Sequence, residues 1–242
     1  DKLAQQEKDP VLRQMDLYFG GRTPSAKNQK TGLFQGKNLI YITAESFTDF
    51  AISEKYTPTL YKLQKEGFTF DHFYNPIWGV STLDGEYVNC LGMIPEAGVW
   101  SLKEAADNSL PFALGNQFQK LGYVTKAYHN HSIYYYDRNL SHPNLGYDFK
   151  GQDGGFSFQK TWPESDLEMM EKTVPDFLED AKKEGKTAPF HIYYLTVSGH
   201  LEYDFQDQEM AKKNKDAVKD LTLSDPCKAY MAANIELDRA ME

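Results

Sequence analysis

The chain has 242 residues, of which 40% are hydrophobic and 14% aromatic, and its formal net charge is −9. This composition supports a packed core and argues against a disordered chain. The acidic balance disfavours nucleic-acid binding, which usually needs a basic surface. The two cysteines form neither a zinc-binding spacing nor a disulfide framework. We find no apolar run long enough to span a membrane and no signal peptide, as in a soluble piece of a longer protein.

Residues 1–36 are polar and mixed, with a Gly-, Pro- and Ser-containing stretch at 20–28 that has the composition of a linker. We predict an N-terminal arm here, with one short helix beginning at Asp9-Pro10. Residues 37–242 are predicted to form a single α/β domain.

The domain opens with an apolar run at 38–44, which is typical of a buried parallel strand and ends just before Glu45. Thr57 and Pro58 have the residue types of a helix N-cap and first helical position, and Gly67 is a helix stop. A second strand is predicted at 68–74, which would complete a strand–helix–strand unit.

A helical pattern begins at Ser81, where Ser81 and Asp84 fit a capping box. Thr82 then falls in the first turn of this helix. The free N–H groups and the positive end of the helix dipole favour a phosphate at this position.

The later elements alternate between helix and strand, which predicts a mostly parallel sheet sandwiched by helices. The expected helices are 112–121, 165–183 and 225–242, and the expected strands are 123–128 and 190–197. The run 139–163 is predicted to be a long functional loop, and 206–220 a solvated charged segment.

Candidate site residues follow the predicted strands, where ligands bind in open α/β sheets. A carboxylate, a hydroxyl, two imidazoles and a guanidinium suit metal-assisted displacement at phosphorus. In this interpretation the histidines bind phosphate or move protons, and the arginine grips phosphate oxygens. These candidates are Glu45, Thr82, His129, His200 and Arg138.

Several segments resemble, in order, the extracellular catalytic domain of the lipoteichoic acid synthases. These are phosphoglycerol transferases of the sulfatase-like, alkaline-phosphatase superfamily. The resemblance begins at residues 37–46 and covers about 37–242. Thr57-Pro58-Thr59-Leu60 fits the family's "TPxL", and residues 81–87 are similar to its "KTSDAEF" nucleophile turn. The segment from His129 to Arg138 resembles "HxxxxxFWNR", residues 165–168 and 174–175 fit "sDkxff…svp", and residues 196–200 match "TLTNH".

The resemblance implies that Glu45 and Thr82 are metal ligands and that Thr82 is the nucleophile. It also implies that His129, Tyr136, Arg138 and His200 contact the phosphoglycerol group. The metal would be Mn²⁺, with Mg²⁺ also compatible with hard oxygen ligands. The implied substrates are a phosphatidylglycerol-type anionic lipid and a polyol or glycolipid acceptor, with a covalent threonine intermediate.

The implied location is the outer face of a bacterial cell membrane, with N-terminal membrane helices that this chain lacks. The family completes its metal site with an Asp-His pair, but no Asp-His follows His200 here. We therefore expect a catalytic domain truncated before that pair, which would bind metal weakly or not at all and could be inactive.

Other interpretations stay open at this point. The first is another superfamily enzyme: a sulfatase, a phosphodiesterase or a phosphoethanolamine transferase. A sulfatase turn, C/S-x-P-x-R, is missing at Ser81-Thr82-Leu83-Asp84. The second is a non-catalytic ligand-binding remnant, for which an Asp-His pair in downstream sequence would be the discriminator.

For some candidate residues, a neighbouring residue could take the same role. Ser81 competes with Thr82 as the hydroxyl of the turn, and His131 competes with His129. Tyr136 is one of three adjacent tyrosines that could simply pack together. No site role is assigned to the other three histidines, His72, His142 and His191.

Overall fold

The computed structural model describes residues 2–75, 81–182 and 187–242, except for the side chain of Ser81. The chain divides into two compact units, 1–36 and 37–242. The first unit contains α1 (Lys2–Gln6) and α2 (Pro10–Gly20). Asp9 caps α2 by accepting hydrogen bonds from two backbone N–H groups of its first turn, which confirms the helix predicted there.

The second unit is built on a five-stranded sheet whose order is β1-β5-β2-β3-β4, with every pairing parallel. The predicted fold class, a mostly parallel sheet with flanking helices, is confirmed. The strands are β1 (Leu39–Thr43), β2 (Val124–Ser132), β3 (Asp148–Gln152), β4 (Gly155–Phe156) and β5 (Phe190–Leu195). The helices are α3 (Pro58–Glu66), α4 (Ser81–Leu91), α5 (Ser101–Glu104), α6 (Leu114–Lys120), α7 (Arg138–Asn144), α8 (Asp166–Ala181), α9 (Glu209–Asn214) and α10 (Asp225–Met241).

The sheet is covered on both faces because successive residues of a strand point to opposite sides. Tyr193 and Leu195 of β5 pack with residues of α4 and α5. Ile192 and Tyr194, from the same strand, pack with residues of α8. This two-sided burial explains why β5 reads as a nearly continuous hydrophobic run.

The strand predicted at 68–74 is wrong. Residues 68–75 form no strand, and the aromatic side chains of Phe68, Phe70, Phe73 and Tyr74 are each more than 70% exposed. Their aromatic residue types are those favoured in strands. Residue type does not provide a pairing partner, and pairing decides whether a strand forms.

The loop predicted at 139–163 is also wrong in part, because α7, β3 and β4 lie within or overlap it. β2 extends to Ser132, beyond the predicted strand at 123–128. In the charged segment 206–220, the side chains of Ala211 and Val218 are buried with residues of α10. Short elements with mixed composition depend on contacts with distant residues, which a local pattern does not contain.

Helices α8 and α3 differ in how they are capped. Ser165 caps α8 by accepting a hydrogen bond from the N–H of Glu168. Thr57 does not cap α3, because its hydroxyl donates to the carbonyl of Ala51 at 2.6 Å. Within the described ranges, no helix combines the length and apolar character needed to cross a bilayer.

Candidate active site

The side chains of Glu45 and Thr82 meet although they are 37 positions apart. The Thr82 hydroxyl donates a hydrogen bond to Glu45 Oε2 at 3.0 Å. Glu45 lies two residues after β1 ends, and Thr82 lies in the first turn of α4. The parallel sheet therefore places a carboxylate beside a hydroxyl at a helix N-terminus, where negative charge is stabilised.

Residues that follow β5 contact the backbone around Glu45 and fix its position. The Glu45 N–H donates to the Thr196 hydroxyl at 3.0 Å, and a Cβ added to Gly199 would lie only 2.7 Å from the Glu45 carbonyl oxygen. Ser46 has a φ of 53°, an uncommon left-handed conformation for a residue other than glycine. Such conformations are found more often at functional sites, so this turn is a constrained part of the site.

Asp166 holds the loop that follows β5, and sequence analysis gave it no role. Its carboxylate accepts hydrogen bonds from the backbone N–H groups of Val197 and Ser198, at 2.8 and 3.1 Å. It also accepts from the Ser198 hydroxyl and from Asn130 Nδ2. Burial raises the pKa of Asp166 to about 6, although these donors act in the opposite direction. The residue fixes the loop that carries Gly199 and His200.

His129 is buried inside β2, three residues before the strand ends, and not after a strand ending at residue 128 as predicted. Its Nδ1 donates a hydrogen bond to the carbonyl oxygen of Leu195 at 3.0 Å, because a carbonyl can only accept. Burial, helped by the nearby charge of Arg138, lowers the pKa of His129 to about 3. The ring is therefore neutral at physiological pH, with the proton on Nδ1 and a lone pair on Nε2.

His131 and Glu164 form a second pair close to His129. His131 Nδ1 lies 2.8 Å from Glu164 Oε1, and the His129 and His131 rings are 6.1 Å apart. Trp162 contacts the rings of both His131 and His200, at 5.6 and 4.8 Å. His200 is therefore in the same cluster, through Trp162.

Arg138 has a different environment from the one expected of a phosphate grip. Its side chain is buried, and its Nε and Nη2 donate to Glu86 Oε2 at 2.9 and 2.8 Å. His142 Nε2 lies 3.2 Å from the other oxygen of Glu86. Burial would raise the pKa of Glu86, but the positive charge of Arg138 and the neighbouring His142 outweigh it and hold the pKa at about 2. A contact of Arg138 with substrate stays a prediction.

Tyr136 packs against Trp100 and Arg138. Its ring is 5.0 Å from that of Trp100 and 5.1 Å from the guanidinium carbon of Arg138. Burial and a hydrogen bond with Tyr135 raise the pKa of Tyr136 to about 12, with opposing influences from Arg138 and Glu45. Tyr136 therefore packs, as sequence analysis allowed, and also faces the charges of the site.

Glu45 and Thr82 suit a divalent metal in donor type, since Mn²⁺ and Mg²⁺ take hard oxygen ligands. They would supply two ligands of a coordination shell. Among the described residues there is no group of three or more His, Cys, Asp or Glu side chains that could hold a metal. The histidines to which no site role was assigned have other environments: His72 is exposed, and His191 is buried with Nε2 2.9 Å from the Tyr147 hydroxyl.

The sequence of the chain is similar to those of known proteins. The family model described as Sulfatase matches residues 37–241. Lipoteichoic acid synthase 1 of Bacillus subtilis is 29% identical over 226 residues, which cover 87% of this chain and 33% of that protein. The lipoteichoic acid synthase of Staphylococcus aureus is 29% identical over 225 residues, with the same coverage of 87% and 33%. The chain thus spans about a third of the length of the curated relatives it matches.

Two solved structures share the fold. The lipoteichoic acid synthase LtaP of Listeria monocytogenes superposes with a TM-score of 0.72 at 22% identity, covering 94% of this chain and 56% of that one. A protein of the alkaline phosphatase superfamily from Vibrio parahaemolyticus superposes with a TM-score of 0.60 at 17% identity, covering 83% and 49%. At these identities the likeness concerns the architecture alone.

Proposed function

The chain belongs to the sulfatase family, and from this premise we propose that it is the catalytic part of a metal-dependent phosphoglycerol transferase. Glycerol phosphate is moved from a phosphatidylglycerol-type lipid to a polyol or glycolipid acceptor, at the outer face of a bacterial membrane. The similarity to lipoteichoic acid synthases supports this choice within the family.

The observation that carries the proposal is the hydrogen bond between Thr82 and Glu45. Thr82 attacks phosphorus, diacylglycerol leaves, and glycerol phosphate is held on the threonine until a second alcohol takes it. Glu45 and Thr82 would hold Mn²⁺ or Mg²⁺, which would acidify the hydroxyl and offset negative charge at phosphorus.

The remaining side chains bind and orient the substrate. The position of Thr82 in the first turn of α4 favours the phosphate charge. His129, neutral and with a lone pair on Nε2, accepts a hydrogen bond from a glycerol hydroxyl more readily than it binds a phosphate oxygen. His200 and Tyr136 complete the proposed contacts with phosphoglycerol, whereas Arg138 is held by Glu86 at the border of the site.

Sulfate-ester hydrolysis is less well supported by the same turn. The segment Ser81-Thr82-Leu83-Asp84 contains neither the proline nor the arginine of a sulfatase turn. Cys90, further along α4, is buried in the core, and burial raises the pKa of its thiol. A buried thiol of this kind is not a nucleophile.

The test is turnover of labelled phosphatidylglycerol with Mn²⁺ present, by the protein expressed in its complete natural reading frame. We expect Thr82→Ala to lower turnover on the order of 10³-fold or more, as removal of a nucleophile does. Ser81→Ala is the matched control, since it removes the neighbouring hydroxyl of the same turn.

Mass spectrometry of the quenched wild-type protein should find a glycerophosphate adduct on Thr82. Retained turnover in Thr82→Ala, or loss in Ser81→Ala alone, would contradict the assignment of the nucleophile. Lipid binding without turnover by the wild-type protein would favour the non-catalytic alternative.

A further inference from the structure

His131 differs from His129 in the group that fixes its ring, although the two are two residues apart on β2. A backbone carbonyl accepts the Nδ1 proton of His129, whereas a carboxylate accepts the Nδ1 proton of His131. A carbonyl is neutral and sets only the tautomer. A carboxylate also stabilises the imidazolium, as in the histidine–carboxylate pairs of acid–base catalysts.

The Glu164 carboxylate is buried, and His131 is its partner. Glu164 is only 8% exposed, and its Oε2 has no hydrogen-bond partner among the described residues. Its one ion pair within the described part of the chain is with His131. A buried carboxylate with an unsatisfied oxygen is costly, and the hydrogen bond that His131 Nδ1 donates to Oε1 offsets part of that cost.

The opposite nitrogen of His131 is the one available for chemistry. Within the described ranges, its Nε2 makes no hydrogen bond, and the side chain is 29% exposed. The ring lies between those of His129 and Trp162, and Trp162 also contacts His200. The titratable groups that face His131 are Glu164, His129 and Tyr135, whose ring is 5.2 Å away.

We infer that His131, oriented by Glu164, is the catalytic residue that carries the proton between the two alcohols of the reaction. This inference rests on the proposed function. The two histidines then have different roles. His129 accepts a hydrogen bond from the glycerol group, and His131 exchanges protons with the leaving alcohol and with the acceptor alcohol.

Bonds and protons are conserved in each half of the reaction. Thr82 reacts as the alkoxide, its proton having gone to solvent before the lipid binds. Its oxygen forms a bond to phosphorus, the bond to the diacylglycerol oxygen breaks, and His131 Nε2–H gives its proton to that oxygen. In the second half, the acceptor alcohol gives its proton to His131 Nε2 as its oxygen bonds to phosphorus. The Thr82 alkoxide then leaves and the starting state is restored.

The test compares two donors that share glycerol phosphate but differ in the leaving group. Phosphatidylglycerol must release an alcohol, which needs a proton, whereas a p-nitrophenyl ester of glycerol phosphate releases a stable anion. In the full reading frame with Mn²⁺, we expect His131→Asn to lower the first-turnover rate with the lipid about 100-fold or more. With the nitrophenyl donor the variant should stay within about threefold of wild type, which also shows that it is folded.

Three further variants sharpen the result. Glu164→Gln keeps an acceptor for Nδ1 but removes the charge, so it should show the same selective loss to a smaller extent. His129→Asn should weaken both donors alike, because both contain glycerol. His72→Asn, at an exposed histidine, should leave both rates unchanged.

An equal loss with both donors, or no loss with either, in His131→Asn would overturn the inference. Failure of the proposed function gives a different result, since the wild-type protein and Thr82→Ala would then be equally inactive. A second measurement needs no turnover. Long-range ¹H–¹⁵N correlations of the metal-free protein should place a proton on His131 Nδ1, and a ring protonated only on Nε2 would contradict the pairing with Glu164.

Discussion

The charged groups of the second unit occupy two kinds of region. In the first, around Lys126, the charged groups are paired with one another. The buried Lys126 Nζ lies 2.7 Å from Asp176 and 2.5 Å from Asp180, and the Tyr128 hydroxyl also donates to Asp176. At the carboxyl ends of the strands, by contrast, His131 Nε2 keeps bonding capacity that the described residues do not use.

The comparison separates stability from chemistry. Lys126 and His131 lie on the same strand, β2, so membership of a particular strand does not distinguish them. The number of hydrogen-bonding and ionic partners distinguishes the two residues. A fully paired charge has no bond to offer a substrate, whereas a partly paired group held in place is prepared to react. By this criterion Arg138, fixed on Glu86, resembles the paired region although it borders the site.

The largest expected effect tests the assignment of Arg138. Arg138→Met leaves Glu86 buried without its cation, so we expect a loss of about 3–5 kcal/mol in the free energy of unfolding. Urea denaturation of the isolated chain measures it. Lys103→Met is the matched control, since it removes an exposed cation 2.7 Å from Asp137 and should cost under about 1 kcal/mol.

A small loss in Arg138→Met, combined with a large rise in KM for phosphatidylglycerol, would assign Arg138 to substrate binding instead. The double variant Arg138→Met/Glu86→Gln should recover part of the stability, because it removes the unpaired charge.

The next effect is smaller and concerns the free energy of unfolding at low pH. The pKa of Glu86 falls from 4.5 to about 2 on folding, so the ionised group favours the folded state above pH 4.5. This contribution, about 3 kcal/mol, is lost as the pH falls from 4.5 towards 2. Glu86→Gln should therefore be less stable than wild type at pH 7, and the difference should shrink at pH 3. Thermal unfolding at the two pH values measures it, and a difference that does not depend on pH would contradict the prediction.

The smallest expected effect on stability lies at the site itself. A Cβ at position 199 would lie 2.7 Å from the Glu45 carbonyl oxygen, so Gly199→Ala must displace the turn that carries Glu45. We expect a cost of about 1 kcal/mol in stability and a fall of about tenfold in turnover, because small misplacements are costly in catalysis.

Gly85→Ala is the matched control, since nothing lies within 4 Å of a Cβ added there. It should keep stability and turnover unchanged or slightly raise stability. Unchanged turnover in Gly199→Ala would mean that the geometry of the Glu45 turn does not limit the reaction.

Parts of this site could be predicted because they depend on local patterns. A buried strand before Glu45 and a helix beginning at Ser81 are both visible in residue order, and in a parallel sheet these two ends come together. The hydrogen bond between Thr82 and Glu45 joins these two ends, although the strand at 68–74 that was expected to lead into the Thr82 turn does not form. The exposed aromatic residues at 68–74 show the limit, since the same kind of pattern there predicted a strand that does not form.

The order of residues by itself determined the fold class, the strand before Glu45 and the helix start that carries Thr82, because hydrophobic periodicity and helix starts are local properties. Only the tertiary structure decided which polar groups are paired. Glu86 with Arg138, Glu164 with His131, and Asp166 with the loop after β5 each join segments that are distant in the chain. Pairing depends on which side chains are buried together, and burial belongs to the folded chain as a whole.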